Sequence, residues 1–237
     1  MSLKLEVTNL EKTYGSGRMV VHAVKDANFT IEEGQFISVV GPSGSGKTTL
    51  LSMLGGLLTP TGGTIIVNGN QVEKFSPRQR QEYRRDHVGF IFQSNNLLPF
   101  LTARENLLLM NQIGPGDRRV MNERADRLIQ EMGLTPRAHA LATELSGGER
   151  QRVAVARALM RNPDIVLADE PTANLDSELG RHVVNSLITA VKGRNKMGIM
   201  VTHDLNMAAL TDGMLRMRDG HLGNLIPKEN LAKPDSV

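Results

Sequence analysis

Residues 41–48 read GPSGSGKT, with glycine at 41, 44 and 46 and a lysine–threonine pair closing the run. Lacking a Cβ at those three positions, the backbone can wrap closely and turn successive N–H groups inward, a shape that suits phosphate oxygens. Lys47 adds a point charge for the outer phosphates and Thr48 a hydroxyl for Mg²⁺. A helix starting there aims the positive end of its dipole at the same anion. The spacing G-x-x-x-x-G-K-T makes Gly41, Pro42, Ser43, Gly44, Ser45, Gly46, Lys47, Thr48 and Thr49 a candidate cradle for ATP, and Lys47 also a candidate catalytic group. Asp169 and Glu170 end an apolar run that starts at Ile165. With Mg²⁺ expected nearby, Asp169 is assigned to the metal, through water. Glu170 is assigned to an attacking water as general base, a contribution of ~10²–10⁴-fold. His203 follows the run Ile199–Thr202 and is expected to hydrogen-bond the γ-phosphate or that water. Gln93 follows Val88–Phe92, and its amide oxygen could reach both metal and water. The candidate catalytic set is therefore Glu170, His203, Gln93 and Lys47, and the candidate metal ligands are Thr48, Gln93 and Asp169.

A second glycine pair stands in LSGGERQR, residues 145–152. Ser146, Gly147 and Gly148 precede a helix expected over Glu149–Arg161, stopped by Asn162-Pro163. Free N–H groups, a helix dipole and a hydroxyl make Ser146, Gly147, Gly148 and Glu149 a second anion site, and a second phosphate is the use such a glycine pair suggests. No feature of the sequence folds it back onto the chain's own loop. The economical arrangement is two copies facing head-to-tail across a two-fold axis, with each ATP between one GPSGSGKT and the other LSGGE. That is an isologous dimer with nucleotide as its glue.

These groups need elements to hold them. Leu3, Leu5 and Val7 alternate with polar residues as in a strand, with a turn signal at Gly15-Ser16-Gly17, so residues 3–40 read as strands with turns. Phe36–Val40 is a buried strand feeding the first glycine loop. Leu50, Leu51, Met53, Leu54, Leu57 and Leu58 recur at helical spacing after it. Gly62-Gly63 turns into a strand at Thr64–Asn68. From Ser76 to about Leu141 the pattern becomes helical, most clearly over Arg118–Met132. Strand and helix then alternate again, through Ile165–Asp169, an amphipathic helix from Leu179 to Val191, and Ile199–Thr202. The expected fold is α/β with a mainly parallel core sheet, an antiparallel N-terminal β subdomain and an α-helical lobe inserted at about 94–160, in a single domain over 1–237. Ligands in such sheets bind at the carboxyl ends of strands, where Gly41, Asp169, Glu170 and His203 all fall.

Composition limits the alternatives. The 237 residues are 40% hydrophobic with a net charge of +3, which permits a core and does not by itself imply nucleic acid. Aromatic residues are 3% of the chain, with no tryptophan and tyrosine only at Tyr14 and Tyr83, too few for base-stacking platforms. No cysteine is present, which excludes disulfides and thiolate metal sites. Apolar runs last only a few residues where a membrane span needs ~20. The N-terminal residues lack a signal peptide's apolar core, so a cytoplasmic location is expected. The cluster Arg78, Arg80, Arg84 and Arg85 reads as a solvated helix face, with anionic lipid headgroups or an acidic partner as the alternative.

The stretches GPSGSGKTT, FIFQ, LSGGERQR, IVLADEPTANLDS and VTHD, in this order and spacing, resemble the ATP-binding subunit of ABC transporters over almost the whole chain. The resemblance implies that Tyr14 stacks on adenine and that the loop Asn174-Leu175-Asp176 crosses the dimer interface, with Asp176 near nucleotide. It also implies that the segment after Gln93 docks on coupling helices of an integral membrane permease, present in two copies. Within the family, FIFQSNNLLPFLTARENL and ELSGGERQRVAVARALMRNPDIVLADEP are most similar to the lipoprotein-release, macrolide-export and haem-efflux group. Export, or extraction from the membrane, is the function this implies, from the cytoplasmic face of the cell membrane and with no nucleic-acid partner. An ATPase of a non-transport membrane complex, such as one controlling cell division, would share the same parts.

Overall fold

The computed structural model describes residues 3–15, 19–112, 114 and 117–231. Ser16 and Gly17 of the expected turn, and residues 232–237, lie outside them. The described residues form an 11-stranded sheet. Its strands are β1 (Lys4–Tyr14), β2 (Val21–Glu32), β3 (Phe36–Val40), β4 (Gly62–Val67), β5 (Asn70–Gln71), β6 (Val88–Ile91), β7 (Ile165–Asp169), β8 (Met197–Thr202), β9 (Gly213–Arg218), β10 (His221–Leu222) and β11 (Ile226–Pro227). The order is β5-β4-β1-β2-β10-β9-β3-β8-β7-β6, with β11 beside β9. β4, β1 and β2 pair antiparallel, whereas β9, β3, β8, β7 and β6 run parallel. The helices are α1 (Lys47–Leu54), α2 (Pro77–Asp86), α3 (Ala103–Leu108), α4 (Arg118–Glu131), α5 (Gly147–Leu159), α6 (Ser177–Lys192), α7 (Leu205–Ala208) and α8 (Lys228–Leu231). This is the α/β class expected, with a parallel core sheet beside an antiparallel one. Between β6 and β7 the described chain is helical, through α3, α4 and α5.

The central strands are apolar on both faces, and successive side chains enter two different cores. Ile165 and Leu167 of β7, with Met197, Ile199 and Val201 of β8, pack with α1 and the antiparallel strands. Val166 and Ala168, with Met200, pack with α3, α4, α5 and α6. The sheet is thus a partition whose two faces are covered by different lobes. Gly198 pairs with Phe36 across β8 and β3. A Cβ there would lie 2.1 Å from the Phe36 ring, so the missing side chain is what lets the ring into the helical core.

Several boundaries differ from expectation. α1 stops at Leu54 because Gly56 turns left-handed (φ 65°), which leaves Leu57 and Leu58 beyond the helix. α5 starts at Gly147, two residues early, because Ser146 caps it in a reciprocal box with Glu149, and it ends at Leu159 rather than Arg161. β4 takes in Gly62 and Gly63 and ends at Val67, before Asn68 with φ 50°. The basic run lies on α2, but its arginines are more than a solvated face. Arg84 donates to Gly56 O at 3.0 Å, Arg80 to Phe75 O, and Arg85 pairs with Asp86, while Arg78 reaches Glu82 one turn on.

At the amino edge of the core sheet a polar clasp joins both parts. Asp164, before β7, shares a hydrogen bond with His87 Nδ1 (2.7 Å) and accepts from Lys196 Nζ (3.2 Å) and from Asn68 Nδ2 (3.1 Å) in the β4–β5 turn. Burial pushes the Asp164 carboxyl up, but the bonds from His87 and Lys196 outweigh it and hold it below the usual range. The bond to Asp164 raises His87 above its ordinary 6.5. A histidine raised on folding stabilises fully below its unfolded pKa, and that contribution fades as pH climbs through the folded value. In urea unfolding, the gap between wild type and His87→Gln should be widest near pH ~6 and narrow above about 6.5. A gap that stays constant from pH ~5.5 to ~8.5 would show that the charge on His87 adds nothing.

Candidate functional site

Strand register assembles the site. Val40 of β3 pairs with Thr202 of β8, Val201 of β8 with Asp169 of β7, and Ala168 of β7 with Ile91 of β6. Gly41, His203, Glu170 and Gln93 therefore leave the sheet at the carboxyl edge of four neighbouring parallel strands, where ligands of such sheets bind.

The glycine loop is shaped by close backbone approach. Gly46 has φ 106°, and a Cβ on it would lie 2.0 Å from Ala23 O; one on Gly41 would lie 2.0 Å from Met217 O. The loop is seated on β2 and on the β9–β10 turn, whose Gly220 N–H donates to Ser45 O at 3.1 Å. Lys47 Nζ bridges back to Gly41 O (2.8 Å) and Pro42 O (2.9 Å), holding its ammonium across the loop mouth. Ser45 Oγ is buried without a hydrogen-bond partner among the described residues. Ser43 is exposed on the loop, and Thr49 lines the cavity beside it.

Thr48 Oγ1 donates to Asp169 Oδ1 at 3.2 Å. Burial raises the Asp169 carboxyl, the Thr48 bond opposes this, the Glu170 charge adds to it and Lys47 opposes it; the net shift is upward. A hydroxyl and a carboxylate side by side, next to a phosphate cradle, are the oxygen donors that Mg²⁺ takes from a protein when phosphates supply the rest. Glu170 sits in the left-handed region at φ 45°, a conformation that costs a non-glycine residue about 1–3 kcal/mol. Its N–H is tied to Val201 O (3.0 Å) and its Oε2 shares a hydrogen bond with His203 Nδ1 (3.0 Å). The turn so formed brings the carboxylate back against β8 rather than letting it run on past the strand end. His203 thus supports Glu170 directly, and its Nε2 is left for a phosphate or water.

Gln93 is exposed at the end of β6, and its loop is clamped from behind. Arg157 of α5 donates to Asn96 O at 2.7 Å and Asn95 O at 2.8 Å, its guanidinium lowered by burial. Sequence reasoning missed Arg157, which carries no motif signal separate from the apolar pattern of its helix. It also missed the walls of the cavity beside the loop. That cavity, about 400 Å³, is lined by Lys47, Thr48 and Thr49, but also by Val21, His22 and Asp219. The dipeptide Asp219-Gly220 reads as a turn, and only the pairing of distant strands shows what it faces. Tyr14 pairs with Val21 across β1 and β2 and is 42% exposed. Lys12 Nζ lies 5.2 Å from the centroid of its ring.

The second glycine pair forms a separate cluster. Ser146 N donates to Glu149 Oε2 (2.8 Å), and Ser146 Oγ accepts from Glu149 N (3.3 Å). Asp176 caps α6, accepting from Leu179 N at 2.9 Å. The glycines have a packing use as well as the anion-binding one expected. A Cβ on Gly147 would lie 3.3 Å from Leu175 and one on Gly148 2.6 Å from Leu179, so their absence lets the 174–179 segment lie against the helix start. The structure therefore brings Ser146, Gly147, Gly148, Glu149 and Asp176 together. It does not bring them to the Gly41–Thr49 loop: none of them lines that cavity, and no hydrogen bond among the described residues joins the two clusters.

A family model described as ABC transporter matches residues 24–173. Among curated relatives, the ATP-binding protein HrtA of Staphylococcus saprophyticus, named for hemin import, is 40% identical over 94% of this chain and 100% of its own length. The lipoprotein-releasing system ATP-binding protein LolD 1 of Chlorobium luteolum is 42% identical over 94% of this chain and 97% of its own. Among solved structures, a dimeric ATP-binding cassette in a post-hydrolysis state with ADP and Pi superposes with TM-score 0.84 at 36% identity, over 94% of this chain and 98% of that one.

Removing the Arg157 clamp should loosen the loop behind Gln93. The Leu98 N–H, which donates to Asn106 Oδ1, is the local probe. Two charge-assisted bonds are lost in Arg157→Ala, so amide exchange at Leu98 should speed up by about tenfold or more. Arg157→Lys should not restore it, since an ammonium lacks the fork that spans two carbonyls. Unchanged exchange in both variants would remove Arg157 from any role at Gln93.

Proposed function

The chain belongs to the ABC transporter family and is its ATP-binding, ATP-hydrolysing cassette; from that premise we propose that it is the motor of an exporter or membrane-extraction machine, working as a head-to-tail dimer. The observation that carries the dimer is the separation of two half-sites on one chain, a phosphate cradle at Gly41–Thr49 and a capped anion-binding helix start at Ser146. Residues 1–237 serve as one nucleotide-binding domain, with the helical lobe inserted at about 94–160. In the dimer, Ser146, Gly147, Gly148 and Glu149 of one copy, with Asp176, close over the γ-phosphate held by the other. Tyr14 takes the adenine beside the cavity that its neighbour Val21 lines.

The loop N–H groups and Lys47 hold the phosphates, and Lys47 exchanges its carbonyl partners for phosphate oxygens. Thr48, Asp169 and Gln93 would hold Mg²⁺, which would supply positive charge against the phosphates. Glu170 accepts the proton of the attacking water, and His203, bonded to its Oε2, keeps that oxygen aimed and presents its other nitrogen to the γ-phosphate. Gln93 reports nucleotide state to the segment behind it.

That segment adjoins a groove of about 430 Å³, floored by Phe90, Phe92 and Met110 and rimmed by Arg84, Arg85 and Arg157. An apolar floor under a basic rim suits a short amphipathic helix bearing carboxylates, as a permease's cytoplasmic loop would present. No helix among the described residues is long and apolar enough to cross a membrane. Two copies of a separate permease supply the path and hold this chain at the cytoplasmic face. The names of two relatives, for hemin import and for lipoprotein release, support hydrophobic, membrane-associated molecules as candidate cargoes.

Glu170→Gln should lower ATP turnover by ~10²–10⁴-fold while ATP still binds, and should trap a dimer visible by size-exclusion chromatography. Turnover near the wild-type rate would refute the general-base role. Ser146→Arg should abolish ATP-driven dimerisation yet leave nucleotide affinity of the monomer within a few-fold, measured with a fluorescent ATP analogue. Collapse of monomer affinity would mean that the second glycine pair serves the chain's own site.

A further inference from the structure

We propose that the junction of α4 with the C-terminal ends of α5 and α6 is a binding site for a single phosphate group, built by Arg124, Arg127 and Arg194. The three guanidiniums line one cavity of about 120 Å³, in which Glu131 is the one lining carboxylate. That space is several times the ~30 Å³ a water molecule occupies in the liquid, room for a tetrahedral oxyanion. Leu128 and Leu159 form buried apolar walls, and Asn162 adds an amide at the rim.

Helix capping explains part of the cluster. Arg124 donates to Met160 O at 3.3 Å, at the end of α5; Arg194 donates to Ala190 O at 2.8 Å, near the end of α6, and pairs with Glu131. Those contacts use one N–H of Arg124 and two of Arg194, out of five on each guanidinium. Arg127 has no hydrogen bond or ion pair among the described residues, yet its charge falls on Arg124. Burial first, then the charges of Arg127 and Arg194, pull the Arg124 guanidinium down, so the three cations act on one another across the cavity. An oxyanion would relieve that repulsion and use the remaining donors in the forked geometry that arginine offers phosphate.

The end of α5 and the residues just after it give Ala158 and Arg161 to the large groove and Leu159 and Asn162 to this cavity, so the two adjoin. The phosphate is supplied either free in solution or on an anionic lipid headgroup, and two measurements separate these. The full chain, with its glycine loop saturated by ADP, is titrated with sodium phosphate at constant ionic strength. The arginine Nε–Hε resonances are followed by NMR. Flotation with phosphatidylglycerol-containing vesicles, against phosphatidylcholine alone, tests the lipid.

For free phosphate, saturable shifts appear at Arg124, Arg127 and Arg194, are weakened about tenfold by Arg127→Gln and are strengthened by Glu131→Gln. For a headgroup, phosphate does not saturate the site, but binding to anionic vesicles is lost in Arg127→Gln. In either case Arg119→Gln, which removes the same charge from an exposed position on α4, leaves binding unchanged. No saturation and no vesicle binding, or equal loss in Arg119→Gln and Arg127→Gln, overturns the proposal. Arg127 is exposed, so its substitution spares the core.

Discussion

The site depends first on parallel pairing of β3, β8, β7 and β6 in a single register. Parallel strands all point the same way, so their carboxyl ends emerge on one edge, and each chemical group needs only to lie within two residues of a strand's end. Gly41, His203, Glu170 and Gln93 come from positions scattered over more than half the chain, yet the ladder from Val40 through Thr202, Asp169 and Ile91 places them side by side. Such strands must be buried on both faces, which is why β7 and β8 are almost wholly apolar up to their last residues. The polarity changes abruptly at the edge, and that change is where chemistry begins.

Alignment alone would leave loose ends, and local devices fix them. Backbone strain at Glu170 is offset by its bonds to Val201 O and His203, so the carboxylate is held rather than merely attached. Lys47 is parked on two carbonyls of its own loop, which fixes its charge there. The loop glycines at 41 and 46 are needed because β9 and β2 press directly on the backbone there. Arg157 does for the Gln93 loop what strand pairing does for the other groups, from the helical side of the sheet.

Residues that act through a local motif were legible in the sequence, because glycine spacing, a carboxylate pair after an apolar run and a histidine after another each carry their own chemistry. Short continuous apolar runs likewise marked the core strands, and a period-two pattern marked β1. What could not be read depends on who sits next to whom. His22 and Asp219 line the nucleotide cavity only because β2 and the β9–β10 turn meet beside α1. Gly148 reads as an anion-site glycine, yet Leu179, from another helix, needs the space too. Helix ends were misjudged where capping overrode apolar periodicity: Ser146 starts α5 early, and Gly56 cuts α1 before two leucines that fit its pattern.

One short segment links the two half-sites. Glu170 stands at the cradle, and Asp176, six positions on, caps α6 beside Gly147 and Gly148. Between them, the Ala173 and Leu175 N–H groups are tied to Glu170 O and Thr172 O, so the connection is a run of tight turns and not slack chain. The turn at Glu170 is therefore joined directly to the 174–179 segment, which lies against Gly147 and Gly148. The same helix that begins at Ser146 carries Arg157, which grips the loop behind Gln93 and forms part of the rim of the arginine-lined groove. The path from Glu170 through the 170–176 turns to α5, and along α5 to the groove, is thus tethered throughout and contains no slack segment.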